Sequence, residues 1–353
     1  MTSTLHVVGL PHTETTDDFS WCAFTSLHKT FCKMMTRFGY EIILYAGHNN
    51  EAECTEHVKC HNSPKSTDFF VPPWTQEYFQ PMNDRVIAAM KKRIKPGDLI
   101  LLSMGVVQLP IQNAFPDNIS VEFCVGYGGS TAPARVFPSW AWLHVMKGHA
   151  AGLRQENIMT LRGGATDIAI PHFLDPELFP KGNGGDYLLF VGRMGGMKGE
   201  QVAIQVSQET GIPLKLVGPD YHGDYGEYLG VVKPKERAEL MGGALALIAP
   251  SQFPEPFGLV VIEAQMCGTP VITTDWGAFT ETVEQNVTGY RCAHVKEFVN
   301  AVLRLHEQYI GTGKVIDREY IRQRALRLYS IDAVAPQYDA FFKRLEYIYP
   351  DKF

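Results

Sequence analysis

The chain has 353 residues, of which 45% are hydrophobic and 20% are charged, and a formal net charge of −6. This length suffices for two domains with sizeable cores, and the composition is that of an ordinary globular protein. The negative charge argues against nucleic acid as the dominant partner, although a local basic patch would still allow it. No apolar run approaches the ~20 residues of a membrane span, so we expect no transmembrane segment.

The cysteines indicate a reducing compartment. There are seven, scattered along the chain and without a C-x-x-C pair, so the sequence predicts neither a zinc site nor a disulfide framework. Reduced thiols are typical of cytosolic proteins. The first residues lack the basic and apolar regions of a signal peptide. We therefore expect a cytoplasmic protein.

The first half of the chain reads as the start of a parallel α/β sheet. A short apolar strand, Thr4–Gly9, is followed by a polar loop and by a helix whose apolar residues recur at helical spacing until Gly39. Further apolar segments predict three strands and one more helix: Glu41–Ala46, Arg85–Ile94 (the helix), Asp98–Ser103 and Ile119–Val125. The polar stretch 51–80 contains prolines and is interpreted as irregular.

Two loops of this half follow predicted strands, where an open parallel sheet binds its ligands. They are residues 10–16 and residues 126–130, and a plain turn is an equal alternative for each. Glu122 lies inside an apolar strand and is a candidate to face a cleft. Four histidines are interpreted as structural rather than catalytic: His12, His144, His149 and His172.

The second half opens after a flexible glycine-rich segment, Lys181–Gly185, with another strand, turn and helix. The turn, Gly192–Gly199, carries Arg193 and Lys198. Glycines let the backbone approach a ligand closely, and two cations there suit a diphosphate. The turn is not a Walker loop, because Gly199 and not Ser or Thr follows Lys198. The alternative is two solvated cations on a loop.

Two carboxylates stand eight positions apart further on. Glu255 lies in a loop rich in proline and glycine, and Glu263 lies in the apolar run Leu259–Met266, which predicts a buried helix. A buried carboxylate requires a polar partner, either a protein cation or a ligand hydroxyl. The backbone N–H groups at the start of this helix, those of Gly258, Leu259 and Val260, could bind an anion. The alternative is a turn followed by a structural ion pair.

The remaining elements complete a second α/β unit. Strands are predicted at 187–191, 214–217, 245–249 and 269–273, and helices at 200–210, 234–241, 295–307 and 317–328. Val287–Tyr290 is interpreted as a hairpin-like corner, and Ser330–Asp332 as the start of a last helix.

Residues from about 170 to 349 resemble the C-terminal domain of family 4 glycosyltransferases. The matching segments agree in order and spacing: Ile170–Phe179, Val191–Gly199, Leu216–Gly218, Tyr228–Val232, Pro250–Gly258, Glu263–Ile272, Thr288–Tyr290 and the last helix. The N-terminal half agrees in its β-loop-α start, but Gly9-Leu10-Pro11-His12 stands where the family has paired glycines.

The resemblance implies an α/β chain with the GT-B fold, in which two Rossmann-like domains face each other across a cleft. Residues 1–180 would form the acceptor-binding domain and residues 181–332 the nucleotide-sugar-binding domain. Residues 333–353 would form a helix that returns to the first domain.

The resemblance also implies roles for individual residues. Arg193 and Lys198 would bind the donor diphosphate, and with Glu255, which would meet sugar hydroxyls, they are the candidate catalytic residues. Glu263 would accept hydrogen bonds from the ribose hydroxyls. The backbone of four further residues would contact sugar and phosphate: Phe257, Gly258, Leu259 and Val260. Gly192 in the glycine turn and Val232 near the base complete the expected donor site.

The implied activity is transfer of a sugar, with retention, from a nucleotide-diphosphate sugar to a hydroxyl acceptor such as a glycan or glycoconjugate. No Asp-x-Asp occurs, so we expect no metal and no cofactor besides the donor substrate. Three alternatives stay open. The acceptor could be a hydroxymethylated nucleic-acid base, the chemistry could be that of an epimerase or phosphorylase, or the protein could bind a nucleotide sugar without catalysis.

Overall fold

A computed structural model describes residues 3–152, 164–313 and 316–353. The chain divides into two compact units. The first comprises the residues up to Phe173 together with Ile331–Phe353, and the second comprises Leu174–Ser330.

The first unit contains a seven-stranded, all-parallel sheet, here called sheet 1. Its strands are β1 (Leu5–Val8), β2 (Ile42–Ala46), β3 (Glu56–Lys59), β4 (Leu99–Leu102), β5 (Ile119–Glu122), β6 (Ala134–Phe137) and β7 (Asp167–Ala169). They lie in the order β3-β2-β1-β4-β5-β6-β7. Strands β1 and β4 are buried along their whole length, as expected for the centre of a parallel sheet covered on both faces. The helices that follow these strands are α1 (Ala23–Phe38), α2 (Gln76–Met90), α3 (Leu109–Ala114) and α4 (Trp140–Ala150).

The second unit repeats this plan with six parallel strands, here called sheet 2. The strands are β8 (Leu188–Val191), β9 (Leu214–Val217), β10 (Glu227–Tyr228), β11 (Ala246–Ala249), β12 (Val271–Thr274) and β13 (Gly289–Cys292), in the order β10-β9-β8-β11-β12-β13. Its helices are α5 (Glu200–Thr210), α6 (Pro234–Gly243), α7 (Leu259–Met266), α8 (Phe279–Thr282), α9 (Val295–Tyr309) and α10 (Arg318–Tyr329). Apolar side chains bury both faces of the sheet.

The last helix, α11 (Ile331–Ile348), belongs to the first unit. The ring of Tyr338 packs edge-on against that of Phe31 in α1, with centroids 5.2 Å apart. The hydroxyl of Tyr40 donates to Asp339 at 2.8 Å. The helix thus packs within the first unit, as expected for a C-terminal helix that returns to the N-terminal domain.

Two sequence interpretations were wrong for a shared reason. The stretch 51–80 contains strand β3 and the start of α2, and Gly289–Cys292 is a strand parallel to β12 rather than part of a hairpin. Each strand lies at an edge of its sheet, and β3 is partly or fully exposed along its length. An exposed edge strand carries little of the apolar signal by which strands are found in a sequence.

Three buried histidines make the first unit sensitive to acid. Burial lowers the pKa of His12 to about 4 and that of His28 and His172 to about 3. The unfolded chain therefore binds these protons first, near pH 6.5, and the free energy of unfolding falls as the pH drops from there toward 4. Each histidine contributes a slope of up to about 1.4 kcal/mol per pH unit. Urea denaturation at pH 7.5, 6 and 5 measures this slope.

A substitution at His28 measures the contribution of one of these histidines to the pH dependence of the free energy of unfolding. His28 Nε2 lies 2.8 Å from Ser103 Oγ, and glutamine at this position could keep a hydrogen bond to that hydroxyl. We expect His28→Gln to reduce the slope by about one proton. An unchanged slope in this variant would contradict the assignment.

Candidate active site

The order of the strands in sheet 2 brings two predicted loops to one place. Strands β8 and β11 are neighbours, and the chain proceeds outward from them in opposite directions. The glycine turn 192–199 follows β8, and the loop 250–258 follows β11. Open parallel sheets bind ligands at the carboxyl ends of their strands, at the point where the strand order reverses. Topology alone therefore places both loops at the expected ligand position of this unit.

The glycine turn packs directly on the second loop. Gly199 has a φ of +80°, and a Cβ at this position would lie 2.2 Å from the carbonyl oxygen of Pro250. The backbone N–H of Gln252 donates to the carbonyl of Met197 at 2.9 Å. A residue with a side chain at position 199 would push the two loops apart. Glycine is thus required here for close approach as well as for its backbone conformation.

Lys198 and Glu255 meet where the loops join. Lys198 Nζ lies 2.7 Å from Glu255 Oε1, and the hydroxyl of Ser251 donates to Glu255 Oε2 at 3.0 Å. The ammonium also lies 4.9 Å from the centre of the Phe253 ring, within the range of a cation–π contact. Glu255 is 8% exposed, whereas the Lys198 side chain is 34% exposed. The carboxylate is held from two sides, and the cation remains open to solvent.

Gly258 directly precedes helix α7 and packs against its surroundings. Gly258 caps the helix with a φ of +82°, and a Cβ there would lie 2.6 Å from the ring of Phe279. The carbonyl of Glu255 accepts from the N–H of Ala278 at 3.1 Å. Phe257 is buried, while Leu259 and Val260 are half-buried. The first N–H groups of α7 therefore begin next to Glu255, where a helix has donors to offer an anion.

Glu263 has a protein cation as its partner. Arg237 of α6 donates from Nε and Nη2 to the two carboxylate oxygens, both at 3.0 Å. Glu263 is 7% exposed, and the Arg237 side chain is 15% exposed. The sequence left open whether a protein cation or a ligand hydroxyl meets this buried carboxylate, and the structure contains the protein cation. A carboxylate has further lone pairs, so the ribose contact stays a prediction. The sequence pointed to α6 as a helix but assigned no role to Arg237.

The other predicted donor residues lie around this site in different ways. Gly192 directly follows strand β8, and its N–H donates to the carbonyl of Val217 at 2.9 Å, whereas Arg193 is exposed on the turn. Val232 is only 7% exposed and packs in the apolar core. In the same segment Val231 is 50% and Tyr228 42% exposed. The side chain of Val232 is therefore buried, and its expected place near the base stays a prediction.

The sequence interpretation missed the role of Glu200. This residue opens helix α5, is 4% exposed, and accepts hydrogen bonds from the N–H groups of Gly195 at 3.0 Å and Gly196 at 3.1 Å. The carboxylate of Glu200 therefore accepts the hydrogen bonds of two backbone amides in the glycine turn, those of Gly195 and Gly196. A diphosphate bound there would be met by the cationic side chains instead. An acidic residue at the first helical position after a glycine turn is the signal that could have revealed this contact.

We expect Glu200 to keep the glycine turn in the shape that directs Lys198 to Glu255. Glu200→Ala leaves two loop amides without their acceptor, so donor affinity should fall about tenfold. Glu200→Gln retains one acceptor oxygen and should recover part of that loss. Isothermal titration with nucleoside diphosphates measures both effects. Equal affinities in all three proteins would show that Glu200 only stabilises the fold.

Glu122 does not face a cleft. It is fully buried, and its carboxylate accepts from the hydroxyl of Tyr127 at 2.9 Å and the N–H of Ala132 at 2.7 Å. Its contacts hold together the loop that follows β5. The cleft-facing interpretation was therefore wrong, because a carboxylate inside an apolar strand can be satisfied by the chain's own next turn.

The described residues contain neither a metal-binding cluster nor a helix that could span a membrane. Within residues 3–152, 164–313 and 316–353, no group of three or more His, Cys, Asp or Glu side chains could hold a metal ion. Over the same part of the chain, no helix is both long and apolar enough to cross a membrane.

Residues 185–308, which contain the glycine turn and the acidic loop, match the family model of the glycosyl transferases group 1. A probable sucrose-phosphate synthase of Thermosipho melanesiensis is 29% identical over 131 residues, which cover 36% of this chain and 30% of that protein. A D-inositol 3-phosphate glycosyltransferase of Rhodococcus erythropolis is 32% identical over 124 residues, or 28% of each chain. The matches thus span less than half the length of these relatives.

Solved structures resemble almost the whole chain. Sucrose-phosphate synthase from Thermosynechococcus elongatus superposes with a TM-score of 0.76 and 17% identity, covering 98% of this chain and 100% of that one. HepE from Anabaena, in complex with UDP and glucose, superposes with a TM-score of 0.67 and 14% identity, covering 97% of this chain and 99% of that one. At these identities the likeness establishes the fold, and the predicted GT-B fold class is confirmed.

Proposed function

We propose that this chain, whose residues 185–308 match the family model of the glycosyl transferases group 1, transfers a sugar from a nucleotide-diphosphate sugar to a hydroxyl acceptor. The acceptor would be a glycan or glycoconjugate. The observation that carries the proposal is the contact of Lys198 with Glu255, at 2.7 Å, at the reversal point of sheet 2. It joins a cation suited to phosphate and a carboxylate suited to sugar hydroxyls.

Each part of the proposed site has a chemical task. The donor's bond between the sugar and the diphosphate breaks, so negative charge develops on the leaving nucleotide. The cations of Arg193 and Lys198, together with the first N–H groups of α7, would stabilise that charge more strongly in the transition state than in the ground state. Glu255 would hold the sugar by its hydroxyls, and Glu263 would hold the ribose.

The proposed reaction proceeds with retention and without a metal ion. Its leaving group would be stabilised by protein cations and backbone donors in place of a bound metal. The incoming hydroxyl would attack from the face that the diphosphate leaves, and its proton would pass to the leaving phosphate. Analysis of the product's anomeric configuration by NMR tests retention, and activity in the presence of EDTA tests metal independence.

A ligand screen tests the donor site directly. Thermal shifts are measured with nucleoside diphosphates and nucleotide sugars, with nucleosides as the control that lacks the diphosphate. A ligand at 100 times its Kd stabilises the folded protein by about 2.7 kcal/mol. We expect a shift with at least one nucleotide sugar and little shift with its nucleoside. The absence of any shift across the panel would overturn the proposal.

A further inference from the structure

A cavity of about 130 Å³ lies at the amino edge of sheet 2, at the end of the strands opposite the glycine turn. Its inner wall is formed by Leu245 and Pro270, which directly precede β11 and β12, and by Leu305 of α9. All three side chains are buried. An apolar cavity of about 150 Å³ can hold a benzene molecule. This cavity, here called the amino-edge cavity, therefore has room for a ligand of about that size.

Arg318, the first residue of α10, brings a positive charge to this cavity. Its Nη1 donates to the carbonyl of Ala244 at 3.3 Å, and its Nη2 donates to the carbonyl of Gly242 at 3.1 Å. Nη2 also donates to the hydroxyl of Thr269 at 2.7 Å. No carboxylate among the described residues forms an ion pair with Arg318, and burial lowers its pKa to about 10. The described part of the chain thus gives this half-buried cation neutral partners only.

The guanidinium has an N–H to spare on Nη1. This nitrogen carries two N–H groups and makes one hydrogen bond. A Cβ at Gly184 would lie 3.0 Å from it, so a side chain at that position would cover it. Asn183 and Tyr309 are exposed and line the same cavity, and neither side chain has a hydrogen-bond partner among the described residues. The amino-edge cavity therefore combines a cation and two neutral polar groups with a buried apolar wall.

This combination selects among ligand classes. A neutral apolar ligand would remove water from Arg318 without supplying a counter-ion, which is costly for a buried charge. Inorganic phosphate would supply the charge but would lose its hydration against leucine side chains, and one cation does not neutralise a dianion. A small organic carboxylate has a single negative charge and an apolar body. It matches both surfaces, and a hydrogen bond between a guanidinium and a carboxylate is about twice as strong as one between neutral groups.

We propose that the amino-edge cavity binds a small organic carboxylate of the size of butyrate or benzoate. The carboxylate would accept a hydrogen bond from Arg318 Nη1, and the apolar body would lie against Leu245 and Leu305. The site is distinct from the candidate active site, which lies at the carboxyl edge of the same sheet. The inference goes beyond the proposed function and does not depend on it.

The test is isothermal titration of the full chain with butyrate and benzoate. Butanol and benzyl alcohol are the probes without charge, and inorganic phosphate is the probe without an apolar body. Arg318→Gln removes the cation. Arg322→Gln is the matched control, because Arg322 on the same helix also donates to backbone carbonyls, those of Phe179 and Met266, but does not line the cavity.

A second variant leaves Arg318 and its three structural hydrogen bonds in place. Tyr309→Glu puts a carboxylate at the exposed rim of the cavity, where it would compete with the ligand for the guanidinium. Its matched control is Tyr320→Glu, because Tyr320 is 41% exposed on α10 and does not line the cavity. The pair separates the effect of a charge at the cavity from that of a charge elsewhere on the same unit.

We expect at least one carboxylate to bind the unmodified chain, Arg322→Gln and Tyr320→Glu with equal affinity. Its affinity should fall at least about tenfold in Arg318→Gln and Tyr309→Glu, because the charge-assisted hydrogen bond is lost or already occupied. If Arg318→Gln does not fold, the comparison of Tyr309→Glu with Tyr320→Glu decides. Equal affinity in those two variants, no carboxylate binding to the unmodified chain, or binding of an alcohol or phosphate as tight as that of the carboxylates would each overturn the inference.

Discussion

Lys198→Met is expected to lower the rate at which the bond between sugar and diphosphate is cleaved by about 10²–10³-fold. The loss of one preorganised protein group that stabilises a developing negative charge has an effect of this size. The variant keeps an apolar stem of similar length but removes the ammonium that lies over the ring of Phe253. Glu255 loses its cation but keeps the hydrogen bond from Ser251. Initial rates with the nucleotide sugar identified by the ligand screen measure the loss.

The chain offers a close control for this variant. Lys215 on β9 also pairs with a carboxylate, that of Glu227 at 3.3 Å, and lies 4.6 Å from the ring of Tyr187. It stands toward the amino end of its strand, away from the glycine turn. We expect Lys215→Met to leave the rate unchanged within a factor of about two. Equal losses in both variants, or none in either, would refute a catalytic role for Lys198.

Arg237→Met is expected to lower the free energy of unfolding by about 3–5 kcal/mol, because it leaves the buried carboxylate of Glu263 without its cation. Replacement of both partners by apolar residues, Arg237→Met with Glu263→Leu, should restore most of that stability. The donor affinity should not recover in the double variant, since the predicted ribose acceptor is absent. Chemical denaturation measures the stability, and titration with the nucleoside diphosphate measures the affinity.

An exposed pair of the same geometry controls for the general effect of breaking an ion pair. Arg93 contacts both oxygens of Glu56 at 2.7–3.0 Å, with side chains 28% and 44% exposed. Arg93→Met should change stability by at most about 1 kcal/mol. If the Arg237 and Glu263 double variant regained both stability and donor affinity, the pair would be structural and the ribose assignment would be wrong.

Local signals predicted many elements of the second unit. The helices Glu200–Thr210 and Leu259–Met266 and the strand Leu214–Val217 have the expected bounds. Glycines follow both helices, and the apolar residues recur at the spacing of a helix or a buried strand. Strands β6 and β7 and helix α4 were not predicted. Strand β7 is only half-buried, and the apolar pattern of α4 is broken by polar residues.

The sequence by itself determined which residue types stand at the ends of the strands: the glycines and cations after β8, and the carboxylate and proline loop after β11. It could not determine that Lys198 meets Glu255, 57 positions away, or that Arg237 meets Glu263, 26 positions away. Those contacts depend on which strands are neighbours in the sheet and on how α6 packs against α7. Pairing across a parallel sheet is decided by burial of both faces at once, and only the tertiary structure contains that information.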